Sequence, residues 1–74
     1  PAEVVGLGSR VTIVEGDGPP ETYHIIGPAE ASPAEGKISY ESPLGKALMG
    51  CRVADEVKVN APDGVLVFRV VEIH

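Results

Sequence analysis

The chain has 74 residues, 43% of them hydrophobic, with one Phe, two Tyr and no Trp, enough for one small domain but almost no aromatic recognition surface. Eleven acidic against six basic residues give a net charge of -5, which repels phosphate backbones and anionic membranes and argues against direct nucleic-acid binding, all the more since the basic residues are scattered. The lone Cys51 excludes an internal disulfide and suits a reducing cytoplasm, and no signal peptide or apolar run near the roughly 20 residues of a membrane span is visible.

The first residue is Pro1 rather than Met, which reads as a processed start or a piece of something longer. Residues 1–9 place Gly6 and Gly8 around Leu7 and form an irregular lead-in, with Val4, Val5 or Leu7 available to pin it to the core. Residues 10–15 alternate as a strand, the cluster Gly16-Asp17-Gly18-Pro19-Pro20 turns the chain, and residues 21–26 return as the second strand of an antiparallel hairpin. Residues 27–36 carry prolines at 28 and 33, which leave no helical face of useful length and predict a loop covering one sheet edge. Residues 37–40 form the third strand.

The next segment is the best specified. Ser42 is a favoured N-cap, Pro43 falls at the first helical position where its missing N–H costs nothing, and Gly50 suits the left-handed end. Leu44, Ala47, Leu48 and Cys51 share one apolar stripe, so a helix of about two turns is held by its packing rather than by its own stability. On that stripe Cys51 reads as a buried, inert thiol. Gly45 costs roughly 1 kcal/mol relative to alanine inside a helix. Two readings compensate: a close approach to a neighbouring strand, or a smooth surface with Pro43 on which a partner backbone lies.

Val53-Ala54-Asp55 turns the chain into a fourth strand over 56–59, with Val57 and Val59 inward, and Ala61-Pro62-Asp63-Gly64 reverses it again. Residues 65–73 put Leu66, Phe68 and Val70 on one face, but Glu72 then falls in phase and Ile73 out of it. A bulge near Val71 restores the pattern; a strand covered on both faces is the alternative. The sum is an α+β domain over residues 1–74, a twisted antiparallel five-stranded sheet with one short helix across it.

No catalytic arrangement is visible. His24 and His74 lack cysteines or carboxylates at ligand spacing, and the serines lack a histidine partner in sequence. The glycine pairs Gly6/Gly8 and Gly16/Gly18 open no phosphate-binding helix. Asp17 beside Glu15 and Glu21 offers at most a weak cation site across the hairpin loop, and solvated charge is the ordinary reading. No cofactor and no metal are expected, and the residues alone point to a binding module.

The run Ile38-Ser39-Tyr40-Glu41-Ser42-Pro43-Leu44-Gly45-Lys46-Ala47-Leu48-Met49-Gly50, with Val53-Ala54-Asp55-Glu56-Val57 and Ala61-Pro62-Asp63-Gly64, closely resembles the C-terminal domain of the bacterial Gre transcript-cleavage elongation factors. Gly6-Leu7-Gly8-Ser9 and Ile26-Gly27-Pro28-Ala29-Glu30-Ala31 are also similar, so the resemblance spans residues 6–73. It implies a fold similar to the FK506-binding-protein sheet and a monomeric module that docks on bacterial RNA polymerase at the rim of its secondary channel. In such proteins an N-terminal coiled-coil hairpin with an acidic tip helps the polymerase's own metal site cleave backtracked RNA; that hairpin is absent from these residues, so the chain is expected to be the anchoring half and not an enzyme. Glu41, Ser42, Pro43 and Leu44 match the stretch by which these domains touch the polymerase. Ala54 stands where the family usually has glycine, and Cys51 where lysine is common. Related regulators that inhibit the polymerase are similar here too, which leaves the direction of the effect open. Peptidyl-prolyl isomerase activity is a further alternative from the implied fold alone.

Overall fold

Val11 and Ile13 alternate onto one face of β1 (Arg10–Glu15) and are fully buried, which makes β1 the central strand of the sheet. The computed structural model describes residues 3–74; Pro1 and Ala2, where the expected lead-in begins, lie outside the described residues. β2 (Glu21–Ile26) pairs antiparallel with β1, as the turn cluster between them predicts. β3 (Lys37–Ser39) adds to the other side of β2, the six-residue helix α1 (Pro43–Leu48) follows, and β4 (Glu56–Ala61) and β5 (Gly64–Ile73) form a second antiparallel hairpin whose β5 lies against β1. The order across the sheet is β3-β2-β1-β5-β4.

One pairing departs from the antiparallel expectation. β3 runs parallel to β2, with Ile25 opposite Ile38, so the five-stranded sheet is mixed. The cause is the proline-bearing segment between them. It carries two single 3₁₀ turns, Pro28–Glu30 and Pro33–Glu35, each started by its proline, and an isolated bridge from Ser32 to Lys37. This length of chain carries the backbone back to the start of β2, the crossover that a parallel pair needs and a tight hairpin cannot supply.

α1 packs against both β3 and β4, the two outer strands. In a flat five-stranded sheet those strands would stand about 19 Å apart at a spacing of ~4.8 Å. A helix of six residues is only about 9 Å long. Contact with both edges therefore requires the sheet to curl, with Leu48 at the centre of the concave side. Leu48 is fully buried in one hydrophobic cluster with Val5, Val11, Ile13, Ile25, Ile38, Val57, Val70 and Ile73; burying each such side chain contributes about 1.5–3 kcal/mol. Val5 is the lead-in residue that is pinned: its N–H donates to Cys51 O at 2.9 Å, and Gly50 N–H donates to Val5 O at 2.9 Å. Leu7 is exposed.

The phase problem in β5 is resolved by a bulge. Thr12 pairs with Glu72 but Ile13 pairs with Val70, so Val71 is the extra residue, and Val70 and Ile73 both enter the core. Burial rises along the same face from Leu66, which is 37% exposed, through half-buried Phe68 to fully buried Val70. The sequence phase alone places Leu66 inward; its position near the turn leaves it beyond the covered centre. A polar contact absent from the sequence reading closes the far end of the sheet. Thr12 is buried, and its Oγ1 lies 2.7 Å from Thr22 Oγ1 and 3.1 Å from His74 Nε2. Cross-strand pairs of this kind contribute about 0.2–1 kcal/mol.

Between α1 and β4 the chain turns at Ala54, which has φ of 81° and is the one non-glycine residue with positive φ among the described residues. The turn is held from three sides: Arg52 N–H donates to Asp55 Oδ2 at 2.9 Å, Ala54 N–H to Val70 O at 2.7 Å, and Val70 N–H to Asp55 O at 2.9 Å. Left-handed backbone costs a residue with a Cβ about 1–2 kcal/mol, and these bonds keep Ala54 there. Ala54→Gly is expected to raise stability by about 1 kcal/mol despite glycine's greater freedom when unfolded, read as a higher urea midpoint with an unchanged slope; a lower midpoint would contradict the strain.

Candidate functional site

The corner where β3 feeds α1 is assembled by Ser39. Tyr40 N–H continues the ladder to Ile26 O at 3.0 Å, and the chain then leaves the sheet. Glu41 N–H donates to Ser39 Oγ at 2.9 Å, while Ser42 N–H and Ser42 Oγ both donate to Ser39 O, at 3.0 and 2.7 Å. Ser42 is extended (φ -70°, ψ 156°) and caps α1 as its residue type predicts, its Oγ accepting from Gly45 N–H at 3.1 Å. Pro43 occupies the first helical position. The helix ends after Leu48, and Gly50 takes the left-handed conformation (φ 82°).

Gly45 is explained by contact with a strand rather than by a smooth outer surface. It is buried, and a Cβ at this position would overlap the Ser39 carbonyl oxygen, approach the Ser39 carbonyl carbon to 2.9 Å and reach Ser42 Oγ at 3.0 Å. The helix start lies directly on the end of β3, and only glycine permits it.

The four residues singled out from sequence lie together but face differently. Glu41 and Pro43 are exposed; Ser42 and Leu44 are half-buried, Ser42 spent on the cap and Leu44 packed against the core. No cation of the described residues pairs with Glu41; the one close contact of a carboxylate with a basic side chain among them sets His74 Nε2 3.3 Å from Glu72 Oε1. The corner thus presents an unpaired carboxylate and a rigid apolar ring on a braced support. Beside it runs a groove that sequence reasoning missed, lined by Leu7, Gly8, His24, Ile25, Ile26, Gly27, Glu30 and Tyr40. Its one sequence signal was Leu7, an apolar residue between two glycines.

The other candidates take up structural roles. Cys51 is half-buried rather than fully buried, its Sγ donates to Ala47 O at 3.3 Å, and burial, with a smaller push from Asp55, raises its pKa and keeps the thiol protonated. At the first hairpin, Glu21 Oε2 accepts from Tyr23 OH at 2.6 Å, and among the described residues no three metal-ligating side chains converge. That hydrogen bond, then burial, then the charges of Glu21 and Glu15 push the Tyr23 phenol from 10.0 up to about 12.

A curled mixed sheet closed by one proline-started helix is the domain type of bacterial transcription factors of known structure. Thermus aquaticus Gfh1 superposes with a TM-score of 0.85 at 45% identity, covering 97% of this chain and 48% of that one. The GreA/GreB factor of Nitrosomonas europaea gives a TM-score of 0.80 at 31% identity, covering 99% and 62%. The chain belongs to the GreA/GreB family of transcription elongation factors: the family model for "Transcription elongation factor, GreA/GreB, C-term" matches residues 1–74. Transcription elongation factor GreA of Bacillus subtilis is 51% identical over 73 residues, 97% of this chain and 46% of that protein. That of Geobacillus kaustophilus is 51% identical over 72 residues, 96% and 46%. The chain spans about half the length of these curated relatives.

Two outcomes follow from the geometry. Gly45→Ala, which helix propensity alone would make stabilising by about 1 kcal/mol, is expected to lower the thermal midpoint instead, because the Ser39 carbonyl must move; a rise in the midpoint would show the contact to be slack. In alkali the unfolded chain releases the tyrosine proton near 10 while folded Tyr23 holds its proton to about 12. Stability is therefore expected to fall as pH rises from 10 towards 12, and Tyr23→Phe to flatten that part of the denaturation profile.

Proposed function

We propose that this chain is the polymerase-docking module of a transcription elongation factor that regulates cleavage of backtracked RNA, anchoring at the secondary-channel rim of bacterial RNA polymerase in the cytoplasm. The observation that carries the reading is the corner itself. Pro43 offers an apolar surface that loses almost no freedom on binding, and Glu41 offers a carboxylate with no cation beside it. Both stand on a turn held by hydrogen bonds to Ser39. The partner surface that fits is a basic side chain next to a small apolar patch. The domain supplies attachment as a monomer and leaves the chemistry to the polymerase's metal site, and a net charge of -5 keeps it off nucleic acid. The same corner would serve a factor that inhibits the polymerase.

An isomerase reading finds less support. A proline-binding pocket needs an aromatic floor, and the chain's rings are dispersed. Tyr40 lines the groove beside the corner, Phe68 lines two depressions near Glu15, and Tyr23 is turned to Glu21.

Pro43→Ala and Glu41→Lys are each expected to weaken binding of the chain to purified core polymerase about tenfold, a loss of roughly 1–2 kcal/mol for a contact residue, with the folded state intact by circular dichroism. Undiminished binding by both variants would refute the surface.

A further inference from the structure

We infer that Ser39 is a positioning residue for this docking corner: without touching the partner, its hydroxyl sets the orientation in which Glu41 is presented. The inference rests on the docking reading above and adds to it the group that makes the corner rigid.

Ser39 is the last residue of β3, half-buried, and is held in the sheet opposite Ile26. Its two oxygens take three donors from two residues, Glu41 and Ser42. Ser39 Oγ accepts Glu41 N–H at 2.9 Å, and Ser39 O accepts Ser42 N–H at 3.0 Å and Ser42 Oγ at 2.7 Å. The carbonyl half of this clasp belongs to the backbone and survives any side-chain change. The hydroxyl half is the side chain's own contribution, and it acts on a single atom, the amide of Glu41. Glu41 is exposed and meets no cation of the described residues, so between the anchored Tyr40 and Ser42 its own amide's bond to the Ser39 hydroxyl is the one hydrogen bond found for it among them.

The division of labour across the corner follows from these contacts. Ser42 Oγ is committed to Gly45 N–H and Ser39 O, and Gly45 sits against the Ser39 carbonyl, so Pro43 is placed by the cap and by glycine. Glu41 lies outside the helix, and its placement falls to the Ser39 hydroxyl. A contact residue that must be ordered on binding costs the complex part of its affinity, and one already ordered does not.

The test uses the 74-residue chain, purified core RNA polymerase and the variants Ser39→Ala, Ser39→Thr, Glu41→Lys and Pro43→Ala, with thermal midpoints and amide hydrogen exchange measured on each. Ser39→Ala is expected to weaken binding about three- to tenfold, the worth of one hydrogen bond, and to speed exchange at the Glu41 amide. Ser39→Thr, which keeps the hydroxyl and suits a strand end, is expected to restore both. On a Glu41→Lys background, the further loss from Ser39→Ala is expected to vanish. Normal binding by Ser39→Ala while Glu41→Lys and Pro43→Ala are impaired would overturn the positioning role and leave the docking reading standing. Normal binding by all of them would overturn the docking reading and this inference with it. Should Ser39→Ala melt too low to assay, Ser39→Cys, with its weaker acceptor, takes its place; wild-type affinity alongside faster exchange at the Glu41 amide would likewise overturn the role.

Discussion

The contact on which the molecule turns is the seating of Gly45 on the carbonyl of Ser39. With no side chain at residue 45, the first turn of α1 descends onto the end of β3, and the Ser42 hydroxyl reaches both Gly45 N–H and Ser39 O. Once the helix start is fixed there, the direction of α1 is set. Leu48 is carried into the concave side of the curled sheet, in a buried cluster to which all five strands contribute. The small core and the exposed corner are two ends of one rigid piece.

That arrangement suits a domain of this size. A single core of some 70 residues supplies only about 3–5 kcal/mol, so a protruding loop held by its own contacts would be a poor platform. Here the platform is made from backbone that the fold has already ordered. The strand end, the cap and the first helical turn would be needed for stability alone, and Glu41 and Pro43 are added on their outer surface. The net charge of -5 would favour approach to a basic protein surface, as the proposed docking requires.

The turn at Ala54 shows how the scaffold tolerates a locally unfavourable residue. A methyl group at φ of 81° is accepted because the turn is bonded to β5 at Val70, next to the bulge that puts Ile73 into the core. Strain in the turn and irregularity in the strand lie side by side.

Much of this was readable along the chain because it depends on neighbours within a few residues. Ser42 as cap, Pro43 at the first helical position, Gly50 at the end and the broken phase around Val71 are local patterns with local causes, and the structure has each of them. The exposed pair at the corner followed from the same short stretch. What could not be read were facts that depend on residues distant in sequence or on the path of a loop. The parallel pairing of β3 came from the route of the proline-bearing segment, and Leu66 was left 37% exposed because it lies near the turn, beyond the covered centre. The Thr12, Thr22 and His74 contact joins residues up to 62 positions apart. Gly45 could be seen to need a reason, but the reason was a carbonyl six residues back, brought underneath it only when the chain folded over. Short-range hydrogen bonding and side-chain periodicity are written residue by residue; the partner of a close approach exists only in three dimensions.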